Sequence, residues 1–217
     1  LRFRFKGMRK IRVLIYAYKD YLKNSLMSAV LLNLYLNAFG IFIPLYGDSD
    51  LSVQIFKIEK FFIAPLLLVS NSISSVFRSE AQLMANRLEN IDVLKRKLLK
   101  ILSLIVVIYL SSIFSGLLGS IYKGIGLKIP KISIVFILMI LFGILRFFSM
   151  PWMSLFYIKN RLKEDLKVSI FQVLSTMTSI LIASVSTLEI ALITFVVLLL
   201  FIYSFVFYNL FYDSRYS

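Results

Sequence analysis

A chain of 217 residues that is 59% hydrophobic, with a mean hydropathy of +0.86 and a formal net charge of +14, is too apolar for a soluble domain of its size. It contains no cysteine and no histidine, which excludes disulfides, zinc–thiolate sites and His-dependent hydrolases or acyltransferases. No phosphate-binding loop, paired carboxylates, HExxH or GxSxG pattern occurs, so the expectation is a chain that is not an enzyme and holds no metal or organic cofactor.

A membrane-spanning helix needs about 20 predominantly apolar residues. Six stretches qualify, at 24–47, 56–77, 101–122, 132–158, 168–184 and 190–212, and four of them contain no charged residue. The fold class expected is therefore an all-α integral membrane protein, a bundle of six transmembrane helices. Three regions follow: a basic linker at 1–23, the membrane domain at 24–212 and a short tail at 213–217. If the spans alternate, the linker (eight Lys and Arg), 87–100 (five), 159–167 (four) and Arg215 fall on one side, eighteen in all. The opposite loops hold three, Lys123, Lys128 and Lys131. The positive-inside rule then places both termini in the cytoplasm. The charge is thus topogenic, and nucleic acid is not an expected partner.

The linker interleaves Arg2, Arg4, Lys6, Arg9, Lys10, Arg12 and Lys19 with Phe3, Phe5, Ile11, Leu14, Ile15 and Tyr18. Two readings are open, an amphipathic helix on an anionic leaflet and a solvated linker. Because the chain starts at Leu1 without a signal peptide, the favoured expectation is part of a longer protein. The second helix is expected to run on past Phe77 to about Asn86. Gly124, Gly126 and Pro130 mark an external loop, and residues 184–189 a tight hairpin. Tyr46, Tyr109, Tyr122, Tyr157, Tyr203 and Tyr208 lie near span ends and are explained as interface anchors.

Charged and amide groups inside spans single out candidate sites, because such groups are costly in hydrocarbon. Projected at 100° per residue from Lys60, the second span places Asn71, Arg78, Gln82, Ser74, Ser75 and Lys57 within about 60° of one line. Lys60 and Arg78 stand roughly 27 Å apart along the axis, nearly the hydrocarbon thickness. A water-facing stripe and separate snorkelling of Lys57, Lys60 and Arg78 both remain open, although snorkelling leaves Asn71 unexplained. Pro65 is a candidate kink, and Glu59, off the stripe, a candidate charge partner. Asn33, Asn37, Gly40 and Pro44 share a face of the first span. Ser169, Gln172, Thr176, Ser179 and Ala183 share one of the fifth, and either face suits packing as well as a cavity. Arg146 sits mid-span with Pro151 two turns on, too deep for easy snorkelling, and needs a hydrated cavity or an anion. A structural pair with Glu59 or Glu189 competes with a role in binding phosphate or carboxylate.

These residues carry a resemblance. A basic linker precedes Leu26-Met27-Ser28-Ala29 and a span with Asn33 and Asn37. A short loop leads to 56–62, then Ala64-Pro65-Leu66, then Val69-Ser70-Asn71-Ser72-Ile73-Ser74-Ser75-Val76-Phe77 and Arg78. In span order and loop length the chain resembles the C-terminal half of a bacterial Wzx-type polysaccharide (O-antigen) flippase, in the MOP superfamily with the MATE exporters. The resemblance implies one lobe of a twelve-helix transporter of the bacterial inner membrane, working by alternating access in lipopolysaccharide biosynthesis. The implied cargo is an undecaprenyl-diphosphate-linked oligosaccharide, with cationic cavity residues that Lys60, Arg78 and Arg146 could supply. Implied partners are membrane lipids, an N-terminal six-helix lobe, the polysaccharide polymerase machinery and a coupling ion, H+ or Na+. A lipid II or other MOP-type transporter, a non-transporting scaffold and a membrane enzyme of polysaccharide assembly are the alternatives.

Reporter fusions test the topology. Those at Ser49, Gly126 and Ser186 are expected to read external, and those at Asn90 and Lys163 internal. A cytoplasmic signal from the Gly126 fusion contradicts the arrangement.

Overall fold

The computed structural model describes residues 19–46, 49–87, 89–116, 133–159 and 161–212, together with 120 and 124. The basic arm to residue 18, Gly126 and Pro130, and the tail from 213 lie outside these residues, as do the side chains of Gly40 and Pro44. The described elements are all helical: α1 (Lys19–Tyr46), α2 (Ser49–Ile58), a π-helical turn (Glu59–Ile63), α3 (Ala64–Asn86), α4 (Asp92–Phe114), α5 (Ile134–Ile158), α6 (Leu162–Val185) and α7 (Leu188–Tyr212). Among the described residues, five helices are long and apolar enough to cross a membrane, and α1, with 28 residues, covers the remaining expected span. The chain is a helical membrane protein. α2, the π turn and α3 form one unbroken rod that ends at Asn86, as the sequence predicts. Only Ser186 and Thr187 separate α6 from α7.

The ends of the helices follow from local chemistry. Ser133 caps α5 by accepting a hydrogen bond from the Phe136 amide (3.2 Å). The Asn90 side-chain oxygen accepts from the Asp92 amide (2.7 Å) to start α4. α1 packs along α6, α6 along α7, α7 along α5, and α5 along α3. α1 and α3 thus stand at the two ends of an arc. α5 is the centre: 56% of its apolar stretch is buried, against 11% in α4, which touches α3 and α5 only lightly. Two apolar clusters meet around it. One joins Tyr35, Ile58, Ile63, Phe142, Phe195 and Leu199 near one membrane face. The other joins Phe77, Leu102, Phe147, Trp152, Leu155 and Leu210 near the opposite face.

Two of the proline-containing rods gain hydrogen bonds from neighbouring helices. Pro151 lies inside α5 and has no N–H, so the Phe147 carbonyl four residues earlier loses its helical donor. The Ser70 hydroxyl of α3, fully buried, donates to that carbonyl (2.8 Å). Pro65 stands at the start of α3, and the chain before it widens into the π turn, with the Ala64 amide bonded to the Glu59 carbonyl. The expected kink is therefore a π turn, where Tyr109 of α4 donates to the Phe62 carbonyl (2.9 Å). Close to this turn, a Cβ on Gly143 would come within 2.9 Å of Ile63 Cγ1 and 3.1 Å of Cγ2. Glycine lets α5 and the rod approach.

Ser70→Ala is expected to lower stability in detergent by about 1 kcal/mol, because it strands a buried carbonyl. In a Pro151→Ala background the helix regains its own donor, and the same substitution should cost much less. Equal cost in both backgrounds, read from thermal unfolding of the purified protein, contradicts this account.

Candidate functional site

The interior between α1, α5, α6 and α7 is not uniformly apolar. On α6, Asp165, Ser169, Gln172, Ser175, Thr176 and Ser179 are all buried. Steps of three and four residues hold Asp165, Ser169, Gln172, Thr176 and Ser179 on one face, which α1 and α7 cover. Ser175, Thr176 and Ser179 bond back to carbonyls four residues earlier, so they are satisfied within their own helix. The others reach across. Ser28 of α1 donates to Asp165 Oδ2 (2.5 Å) and shares a hydrogen bond with Ser169 (2.8 Å). Tyr157 of α5 also donates to Asp165 Oδ2 (3.1 Å). One and two turns along, Gln172 Nε2 donates to the Tyr203 hydroxyl (3.0 Å), which lies 3.4 Å from the hydroxyl of Tyr35.

Arg146 belongs to this seam. It is the thirteenth of 25 residues in α5, is 7% exposed, and holds its guanidinium 5.3 Å from the Phe142 ring centroid. Phe142 packs edge-on against Tyr35. Arg146 Nε is buried without a hydrogen-bond partner, as is Oε1 of Gln172. Among the described residues no carboxylate pairs with Arg146, so the alternative of a structural pair with Glu59 or Glu189 is not formed. Face-on contact with an aromatic ring offsets part of the cost of a buried cation but does not neutralise it. A cavity of about 390 Å³ opens between α5 and α7 beside Ser149 and Tyr203. Ser149 donates to the Arg146 carbonyl (3.0 Å).

The other candidates lie elsewhere. Lys60, Asn71 and Arg78 are all exposed on the α3 rod, and Lys57 and Glu59 are half-buried. Lys60 sits 5.5 Å from the Phe56 ring centroid and Arg78 5.2 Å from that of Tyr157, so neither cation is held by a described carboxylate. The π turn contains Lys60 and shifts the register between the start of the rod and α3, so ideal 100° spacing does not hold across it. On α1, Asn33 and Asn37 are exposed and bond back to the carbonyls of Ala29 (3.0 Å) and Asn33 (2.8 Å). The structure thus shows two polar features, an outer face carried by α1 and α3 and an inner seam that includes Arg146 and Gln172. They meet where the Arg78 guanidinium lies over the Tyr157 ring, whose hydroxyl donates to Asp165.

Three tyrosines expected as interface anchors do internal work instead. Tyr203 accepts from Gln172, Tyr157 donates to Asp165, and Tyr109 donates to Phe62. Tyr208 is exposed, while the side chains of Tyr46 and Tyr122 lie outside the described residues. Asp165, Ser28 and Tyr35 were not singled out from the sequence. Asp165 continues the Ser169–Gln172–Thr176–Ser179 spacing by one turn toward a basic cluster, and that cluster disguised it as a loop acid.

Fold and site together define a multi-span helical bundle with a polar interior and an exposed cation-and-amide face. Comparison with family models, with characterised proteins and with solved structures gave no match for this chain.

Because Arg146 is buried without an anion, Arg146→Leu is expected to hold or raise the stability of the purified protein, by roughly 1 kcal/mol or more. Thermal unfolding in detergent reads this. A loss of folded protein would show instead that the guanidinium is structurally required.

Proposed function

We propose that this chain forms a lobe of a transporter that moves an anionic, lipid-linked oligosaccharide across a membrane, with an undecaprenyl-diphosphate carrier as the reading most in keeping with the sequence resemblance. The observation that carries the proposal is the exposed face of α3. There Asn71 and Arg78 stand open among apolar side chains such as Leu68 and Val76, and Lys60 is likewise exposed in the π turn that precedes the helix. Polar groups on a spanning helix face water or a partner rather than lipid tails. Asn33 and Asn37 on α1 add uncharged polar groups at the other end of the arc. A second six-helix unit set against both ends would enclose a path lined with amides and cations. A diphosphate head group crossing about 30 Å of hydrocarbon is stabilised by such a lining.

Sign of charge discriminates between cargoes. A path for cationic drugs would present carboxylates, whereas Glu59 is only half-buried at the edge of a face dominated by Lys60 and Arg78. The inner seam is separate in this reading. Arg146, buried against Phe142, lies away from the outer face and is not part of the path. Coupling to H+ or Na+, an N-terminal lobe and a location in the bacterial inner membrane belong to the same proposal.

The test is surface polysaccharide in a flippase-null strain expressing the reading frame that encodes this chain, normalised to protein in the membrane. Lys60→Glu with Arg78→Glu is expected to reduce export at least tenfold, because the face would then repel the diphosphate. Lys60→Arg with Arg78→Lys should retain most of it. Single Cys substitutions in the naturally Cys-free chain give a second readout. Asn71→Cys should react with a membrane-impermeant thiol reagent, and Leu67→Cys much less. Normal export by the double Glu variant at normal abundance removes the proposal.

A further inference from the structure

A second cavity, of about 810 Å³, lies outside both polar features, in a groove between α6 and α7. Its floor is Phe156 of α5 with Val168 and Val206, all buried, and its walls are Phe171, Phe201 and Phe205, all exposed. At one end stand Arg161, Glu164 and Lys167. Arg161 is fixed in place by an ion pair with Glu164, its side chain only 14% exposed, while Lys167 is exposed. The local charge is thus net positive, and it sits where the groove meets the basic end of the bundle, shared with Lys95, Arg96, Lys97 and Lys163. Away from that end the groove carries aromatic and aliphatic side chains.

Its length matches one kind of occupant. From Arg161 to Phe171 the helix rises about 15 Å at 1.5 Å per residue, half of a hydrocarbon core about 30 Å thick. A groove that starts at the head-group level with cations and ends near the bilayer midplane with phenylalanines fits a lipid of a single leaflet. A diffuse surface field would need no groove. We propose that the α6–α7 groove is a binding site for an anionic phospholipid of the leaflet at the basic end, its phosphate held by Arg161 and Lys167 and one acyl chain laid along Phe171, Phe201 and Phe205. The site does not depend on the transport reading, since none of its residues belongs to the outer face or to the inner seam.

Spin-labelled phosphatidylglycerol and phosphatidylcholine, each added to vesicles containing the purified chain, test the assignment through the fraction of label that is motionally restricted. The wild type is expected to prefer phosphatidylglycerol. Lys167→Gln, at an exposed position where folding is not at issue, should lower that preference by up to roughly fivefold, the factor set by about 1 kcal/mol per basic residue near an anionic surface. Lys97→Gln, an exposed cation of α4 at the same end but outside the groove, should leave it unchanged. Equal restriction of the two lipids by the wild type would overturn the proposal. So would an equal effect of the two substitutions, which would mark general charge attraction. Displacement of the label by polyprenyl phosphate at concentrations tenfold below those needed with unlabelled phosphatidylglycerol would give the groove to a carrier lipid and also overturn it.

Discussion

In hydrocarbon no solvent replaces a missing hydrogen bond, so every backbone carbonyl must find a donor within the protein. That constraint is sharpest at Phe147, whose carbonyl is released by Pro151 and taken by Ser70. The contact joins α3 to α5, and α5 is the element on which α7, α4 and the α2 rod converge. That hydrogen bond adds to the packing of Phe77 on Trp152 and of Ile63 on Gly143 in joining the helix that bears Arg78 to the helix that bears the buried Arg146. The π turn before Pro65 answers the same constraint differently, by widening the helix and borrowing the Tyr109 hydroxyl.

The bundle separates its polar groups by purpose. Ser175, Thr176 and Ser179 satisfy themselves on their own helix and let α6 pack closely. Asp165, Ser28, Ser169 and Tyr157 share one carboxylate-centred network that joins α1, α5 and α6. Gln172, Tyr203, Tyr35 and Arg146 continue the line inward but leave a donor and an acceptor unmatched. Buried groups left unmatched at mid-membrane call for a ligand, a water or a second conformation.

Most span positions, the extension of the second helix to Asn86 and the tight α6–α7 turn were legible in the sequence, because length and hydropathy are one-dimensional properties. The third span, expected at 101–122, instead runs as Asp92–Phe114 and stops at Ser115 and Gly116, where the glycine φ of +73° ends the helix. The burial of Arg146 and Gln172 was legible in part, since a mid-span charge and an amide at three-and-four spacing both predict an inward face. Their convergence was not, because it depends on which helices become neighbours: α1 runs beside α6, distant in sequence. Ideal helical projection also assumes constant pitch, and the π turn between Lys57 and Arg78 breaks it. Tyrosines at span ends look alike whether they meet head groups or, like Tyr109, a backbone carbonyl of the π turn. Only a neighbouring helix decides.

The Gly143 notch gives the α3–α5 pair a mechanical property. Ile63 is seated in it, and Ser70 is bonded to Phe147, about 10 Å further along the rod at 1.5 Å per residue. Two fixed points define a line. Sliding one helix past the other would have to unseat the isoleucine and break the hydrogen bond together, whereas rolling about that line strains neither. Both contacts oppose shear between the two helices, and they set the cation-bearing face of α3 in a fixed register against α5.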